Sequence, residues 1–118
     1  MFDERSDHFE VRVTGADGGV CVHVRGELDV ASVDVMRTAL DGAFEATAGD
    51  VDVDLLRTAF CDSTCLYVLL AAHHRLAAVG RRLHMVDPAP RVLRLLEVSA
   101  TRTLFDIADG SSPSPPVR

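Results

Sequence analysis

Apolar and polar positions alternate twice near the start of the chain. Phe9, Val11 and Val13 fall on one side and His8, Glu10 and Arg12 on the other; Val20, Val22 and Val24 then stand opposite Cys21, His23 and Arg25. A period of two marks a half-buried strand. The turn-rich segment TGADGG, residues 14–19, separates the two runs, so together they predict a β-hairpin. After Gly26-Glu27-Leu28-Asp29 the period changes. Val33, Met36, Leu40, Ala43 and Phe44 recur at three- and four-residue spacing, with Asp34, Arg37, Asp41 and Glu45 largely off that stripe. This predicts an amphipathic helix, with Asp29 or Ser32 placed to cap its start and Gly49 following its end.

Alternation returns at Val51, Val53 and Leu55 against Asp52 and Asp54, which predicts a third strand. A short loop and then a helix over 66–79, stopped by Gly80, come next. Residues 82–86 read as a fourth strand. Asp87-Pro88 supplies an N-cap and a first-turn proline for a third helix, whose apolar side is Val92, Leu95 and Leu96. Residues 103–107 read as a fifth strand. The order β-β-α-β-α-β-α-β predicts an α/β fold: one mixed sheet with helices packed on it, parallel at the helical crossovers and antiparallel at the hairpin. This single domain is expected over residues 1–109. The tail GSSPSPPVR, residues 110–118, is too poor in apolar side chains to pack and is expected to be disordered.

Composition narrows the partners. A chain of 118 residues suits one domain with one core, and its net charge of −6 argues against nucleic acid or anionic membrane as partner. No apolar run approaches the roughly 20 residues needed to span a bilayer. The opening MFDERSDHFE is acidic and polar, unlike a secretory signal, so the expected location is cytoplasmic. Three cysteines without export signals are read as reduced thiols.

The chemistry concentrates between Val51 and Leu70. Ser63 and Thr64 fall where loop becomes helix, and a helix start offers unpaired N–H groups and a positive dipole end that favour phosphate. A hydroxyl there is a poor nucleophile without a base but is well placed to receive a phosphoryl group. The simpler reading of a bare Asp-Ser-Thr run, and the favoured one before its flanks are considered, is plain helix capping, worth about 1 kcal/mol. Cys61 and Cys65 straddle the same helix start, where a depressed thiol pKa would suit redox sensing. They do not have the usual zinc spacing, and residues 65 and 73 lie about 12 Å apart along a helix, too far for His73-His74 to share a metal with them. His73 and His74 are read as ordinary helix residues. No nucleophile–base–orienter set is spelled out, so no catalytic residue, metal or cofactor is assigned, and the protein is not expected to be an enzyme. The run Leu66-Tyr67-Val68-Leu69-Leu70-Ala71-Ala72 is apolar all round, which suits one side against the sheet and another, bearing Tyr67, exposed to a partner.

Two motifs carry a resemblance. Asp54-Leu55 ending a strand, Phe60, then Asp62-Ser63-Thr64 and Leu66 opening a helix resemble the signature of the STAS domain, specifically that of bacterial anti-sigma factor antagonists. Gly26-Glu27-Leu28-Asp29 resembles the same family's motif before its first helix. The likeness runs collinearly over roughly residues 8 to 107 and implies a STAS-like fold. It also implies that Ser63 is phosphorylated by an anti-sigma factor serine kinase, with Thr64 supporting the site. Binding of that kinase by the unphosphorylated form would release a sigma factor, and a phosphatase would reset the switch. Asp29, Asp62, Ser63, Thr64, Cys65, Leu66 and Tyr67 are the implied partner-binding residues, and Asp54 is expected near the phosphoacceptor. Two departures stand out. Cys65 replaces the family's glycine, so an added side chain is expected to crowd the partner, and the family's last helix has no counterpart before the Pro-rich tail. The alternative function is a STAS scaffold or accessory subunit, in a sensory complex or transport system, that is not phosphorylated.

Overall fold

The alternating runs pair as strands because each has one face fit for burial. β2 (Phe9–Ala16) and β3 (Gly19–Leu28) form the antiparallel hairpin, with Val11 opposite Val24 and Val13 opposite Val22. The computed structural model describes residues 2–5, 8–16 and 19–108; the expected tail, 110–118, lies outside them. Among the described residues six strands make one sheet in sequence order, β1 to β6. The α/β fold and mixed sheet are as expected, with β3, β4 (Val51–Cys61), β5 (Leu83–Val86) and β6 (Asp106–Ala108) parallel.

β1 (Phe2–Arg5) was not expected. It adds an antiparallel edge strand on β2, so the order begins β-β-β. With one apolar residue in four it carries no alternation, and an edge strand is held by main-chain pairing that leaves no trace in side-chain pattern. Thr103 to Ile107 is also corrected: Arg102–Leu104 is a 3₁₀ turn, Phe105 is buried, and the strand covers only Asp106–Ala108.

Val11, Val13, Val20, Val22, Val24, Val51, Val53, Leu55, Leu83 and Met85 are all buried in one core with residues of the helices. The intervening Arg12, Thr14, Cys21, His23, Arg25, Asp52, Asp54 and His84 are half-buried or exposed. The helices therefore cover one face of the sheet and leave the other to solvent.

α1 (Val33–Ala46) buries Met36, Ala39, Leu40 and Ala43 and turns Asp34, Arg37, Asp41 and Glu45 outward, as its periodicity predicts. Ser32 stands at its N-cap and Gly49 follows its end, as expected. Ser32 makes no side-chain cap bond; its buried hydroxyl accepts from the Asp29 amide at 3.0 Å and sits 3.0 Å from the Asp29 carbonyl. At the other end the helix stops at Ala46, before Gly49, and Arg81 closes it. The guanidinium donates to the carbonyls of Phe44 (3.1 Å), Thr47 (2.6 Å) and Gly49 (2.7 Å) and stacks 4.4 Å from the Phe44 ring, whose neighbour Arg75 lies at 4.0 Å. A cation on terminal carbonyls suits both their unmet acceptors and the dipole.

α2 (Ser63–Ala77) begins three residues earlier than the apolar pattern indicates and ends as expected on Gly80, whose φ of 75° admits the Arg81 amide to the Leu76 carbonyl at 2.9 Å. α3 (Pro90–Val98) starts at Pro90, with Ala89 at its N-cap, in place of Asp87-Pro88. The Ala89 amide is drawn to the Leu55 carbonyl (3.2 Å) and Asp87 takes φ 47°, so the chain is still turning at the first proline. Val92 and Leu96 are buried as predicted, and Leu95 is half-buried against the core.

Candidate phosphoacceptor site

β4 corrects the expected short loop before α2: it remains strand through Cys61. Only its first four residues pair with β5, whereas its far end keeps pairing with β3 across two register shifts, reaching Leu28 opposite Cys61. That length delivers the Asp-Ser-Thr run to the end of β3. The Asp62 amide donates to the Leu28 carbonyl at 3.3 Å, so the two motifs singled out in the sequence, Gly26–Asp29 and Asp62–Tyr67, lie side by side.

Gly26 allows this approach. Its φ is 97°, and a Cβ there would fall 2.2 Å from the His8 carbonyl oxygen, which accepts the Glu27 amide at 2.9 Å. Only glycine fits such backbone contact in that conformation. Three residues on, the Asp29 carboxylate accepts from the Ala31 amide at 3.0 Å and closes the turn into α1. Asp29 is thus a half-buried turn residue joined to the site through Leu28.

At the helix start, Asp62 is extended and its Oδ1 accepts the amides of Thr64 (3.0 Å) and Cys65 (3.2 Å). This satisfies two of the donors every helix start leaves open and sets a negative charge on the dipole's positive end. Ser63, the first helical residue, is exposed. Thr64 is half-buried and turns toward α1. Capping and presentation are therefore divided between neighbours: Asp62 holds the helix and leaves the Ser63 hydroxyl outside that pair of bonds.

Cys65 is fully buried and Leu66 nearly so, both within the core. The side chain that replaces the family's glycine points inward, so the expected crowding of a partner is corrected. Burial also withdraws Cys65 from solvent, and a redox sensor needs an accessible thiolate. Tyr67, one residue further, is 72% exposed, as is Val30 beside Asp29. A groove of about 410 Å³ runs between α1 and α2 from Thr64 and Tyr67 past Ala71 to Arg75, with Val33, Arg37 and Asp41 on its α1 side. In the sequence these α1 residues mark only the stripe and flank of an amphipathic helix. Their spacing of four is visible in the chain, but which helix would face that flank is not.

Asp54 is not near the phosphoacceptor. It sits seven residues before the end of β4 on the open face, where its carboxylate meets His23 Nδ1 at 3.2 Å. Alternation sends Asp54 away from the helices while Leu55 enters the core. On the same face burial pushes the Cys21 thiol up to about 11, with the Asp52 and Asp54 charges acting in the same direction. His73 packs against Phe105, ring centroids 5.5 Å apart. Among the described residues no three His, Cys, Asp or Glu side chains gather to hold a metal ion, and no helix is long and apolar enough to cross a membrane.

Known proteins share this fold. Residues 11–106 match the family model described as Mlab, STAS domain. The chain is 27% identical to the anti-sigma-B factor antagonist of Bacillus subtilis (strain 168) over 101 residues, 86% of this chain and 92% of that one. An anti-sigma factor antagonist from Mycobacterium paratuberculosis superposes with a TM-score of 0.78 at 21% identity, covering 88% of each chain. The Bacillus cell fate determinant SpoIIAA, solved in its phosphorylated form, superposes with a TM-score of 0.66 at 21% identity, over 86% of this chain and 93% of that one.

Proposed function

The chain belongs to the STAS domain family, and on that premise we propose that it is an anti-sigma factor antagonist switched by phosphorylation of Ser63. The observation that carries this reading is the exposed Ser63 hydroxyl at the first position of α2, beside an Asp62 already engaged as cap. Similarity to an anti-sigma-B factor antagonist supports the same role.

Unphosphorylated, the protein binds an anti-sigma factor serine kinase in the cytoplasm and so frees a sigma factor. Ser63, Thr64 and Tyr67 with the α1–α2 groove form the docking surface, and Asp29, Asp62, Cys65 and Leu66 build it from beneath. The kinase moves the γ-phosphoryl group of ATP to the Ser63 oxygen, with loss of the hydroxyl proton and departure of ADP. The product carries about −1.5 to −2 charges where the partner docks. The helix dipole favours that charge without a new fold. The partner must then desolvate a phosphate beside the Asp62 carboxylate, and each 1.4 kcal/mol of that penalty weakens binding about tenfold. A phosphatase restores the binding form. The protein itself catalyses nothing in this cycle.

The alternative of a scaffold or transport subunit that is never phosphorylated drew its support from Cys65. With that side chain inside the core, the departure from glycine no longer argues for it. Incubation with ATP and a kinase-type anti-sigma factor, followed by mass mapping, tests the assignment. One phosphate on the peptide containing Ser63, absent from Ser63→Ala, is expected. Unchanged mass, or phosphate that persists in the variant, contradicts it.

A further inference from the structure

On the open face of the sheet a second groove, of about 450 Å³, is lined chiefly by Glu10, Arg12, His23, Arg25, Asp54 and Arg57. These side chains come from three adjacent strands, β2, β3 and β4, on the face of the sheet turned away from the helices and from Ser63. We propose that this groove is a binding site for a small phosphate-bearing anion, held by the guanidiniums of Arg12, Arg25 and Arg57.

The charged side chains within the groove are unevenly matched. Glu10 is committed to Arg25, accepting from Nε at 3.0 Å and from Nη2 at 2.8 Å. Asp54 is committed to His23 at 3.2 Å and accepts the Leu56 amide at 3.1 Å. His23 in turn meets the Thr14 hydroxyl through Nε2 at 2.9 Å. Both carboxylates are thus engaged within the groove, Glu10 on Arg25 and Asp54 on His23, whereas Arg12 and Arg57 have no hydrogen-bonded or ion-paired partner among the described residues. Three guanidiniums against two carboxylates leave the groove positive in a chain of net charge −6.

Register adds an independent argument. Arg25 and Arg57 are direct partners across the parallel β3–β4 pair, on strands about 4.8 Å apart. Like charges facing each other in a sheet are destabilising, and an anion between them converts that repulsion into shared charge-assisted hydrogen bonds. Guanidinium forks match the geometry of phosphate oxygens. The size of the ligand follows from the surroundings. The positive region is confined to one groove on an acidic molecule, so an extended polyanion such as nucleic acid would be repelled beyond it. The lining offers no exposed large apolar side chain that would enter a bilayer.

Titration calorimetry of the whole protein with inorganic pyrophosphate tests this. Saturable binding is expected, weakened by salt, with Arg12→Gln and Arg57→Gln each losing about 10- to 100-fold in affinity. Arg102→Gln, which removes an exposed ion pair to Glu97 far along the chain, should bind as the unaltered protein does. Amide NMR shifts on adding pyrophosphate should centre on residues 10–12, 23–25 and 57. Absence of binding at millimolar pyrophosphate, unchanged affinity in the Arg12→Gln/Arg57→Gln double variant, or shifts confined to the start of α2 would overturn the proposal. So would sedimentation with phosphatidic acid vesicles in the absence of pyrophosphate binding, since the ligand would then be a membrane headgroup.

Discussion

Cys65 shows how much one side chain's direction decides. Placed in the first turn of α2 but aimed into the core, it serves packing and leaves the surface to Ser63 and Tyr67. Restoring glycine would remove a buried thiol and loosen a helical position, so Cys65→Gly should cost about 2 kcal/mol of stability, read from its denaturant midpoint. Affinity for the anti-sigma partner should stay the same. Cys21 makes a different prediction, because partial burial, aided by the Asp52 and Asp54 charges, pushes its thiol up from an ordinary 9.0 to about 11. Between those values the folded state holds a proton that the unfolded chain has lost, so stability falls as pH rises from about 9 to about 11. Site-resolved alkylation of Cys21 should rise with a midpoint near pH 11 and return to about 9 in urea; a midpoint of 9 in the folded protein would contradict the half-buried, carboxylate-flanked position.

At the scale of elements, the long β4 and the capped α2 form one device: a strand that outruns its β5 neighbour and hands an Asp-Ser-Thr turn to the end of β3. Its parts were readable in the chain, since Val51, Val53 and Leu55 alternate and Asp62 has the chemistry of a cap. The strand's far half was not, because Leu56, Arg57, Thr58 and Ala59 break the alternation where register shifts bend the sheet. The α3 start was misplaced by one proline for a similar reason: Pro88 and Pro90 both suit a first turn, and the Leu55 carbonyl, distant in sequence, selects between them. Arg81 was invisible as a cap, being an arginine after a glycine with its target helix over thirty residues upstream. Arg81→Ala should therefore destabilise the fold by about 2 kcal/mol, through three lost carbonyl bonds and the Phe44 stack. An effect under about 0.5 kcal/mol in denaturant unfolding would show that α1 closes without it.

The whole molecule keeps its two surfaces apart. Helices on one face of the sheet bury the core and display Ser63 with the α1–α2 groove; the open face gathers the charged residues that alternation expels, Arg12, His23, Arg25 and Asp54 among them. In the proposed switch a phosphate at Ser63 acts on docking directly and needs no signal through the sheet. The most direct test of that claim is the Kd of the kinase-type anti-sigma factor for this protein before and after phosphorylation of Ser63, with the fold followed by circular dichroism. The switch predicts a loss of at least about 100-fold, equivalent to about 2.8 kcal/mol, with an unchanged spectrum. Equal affinity for the two forms would contradict it.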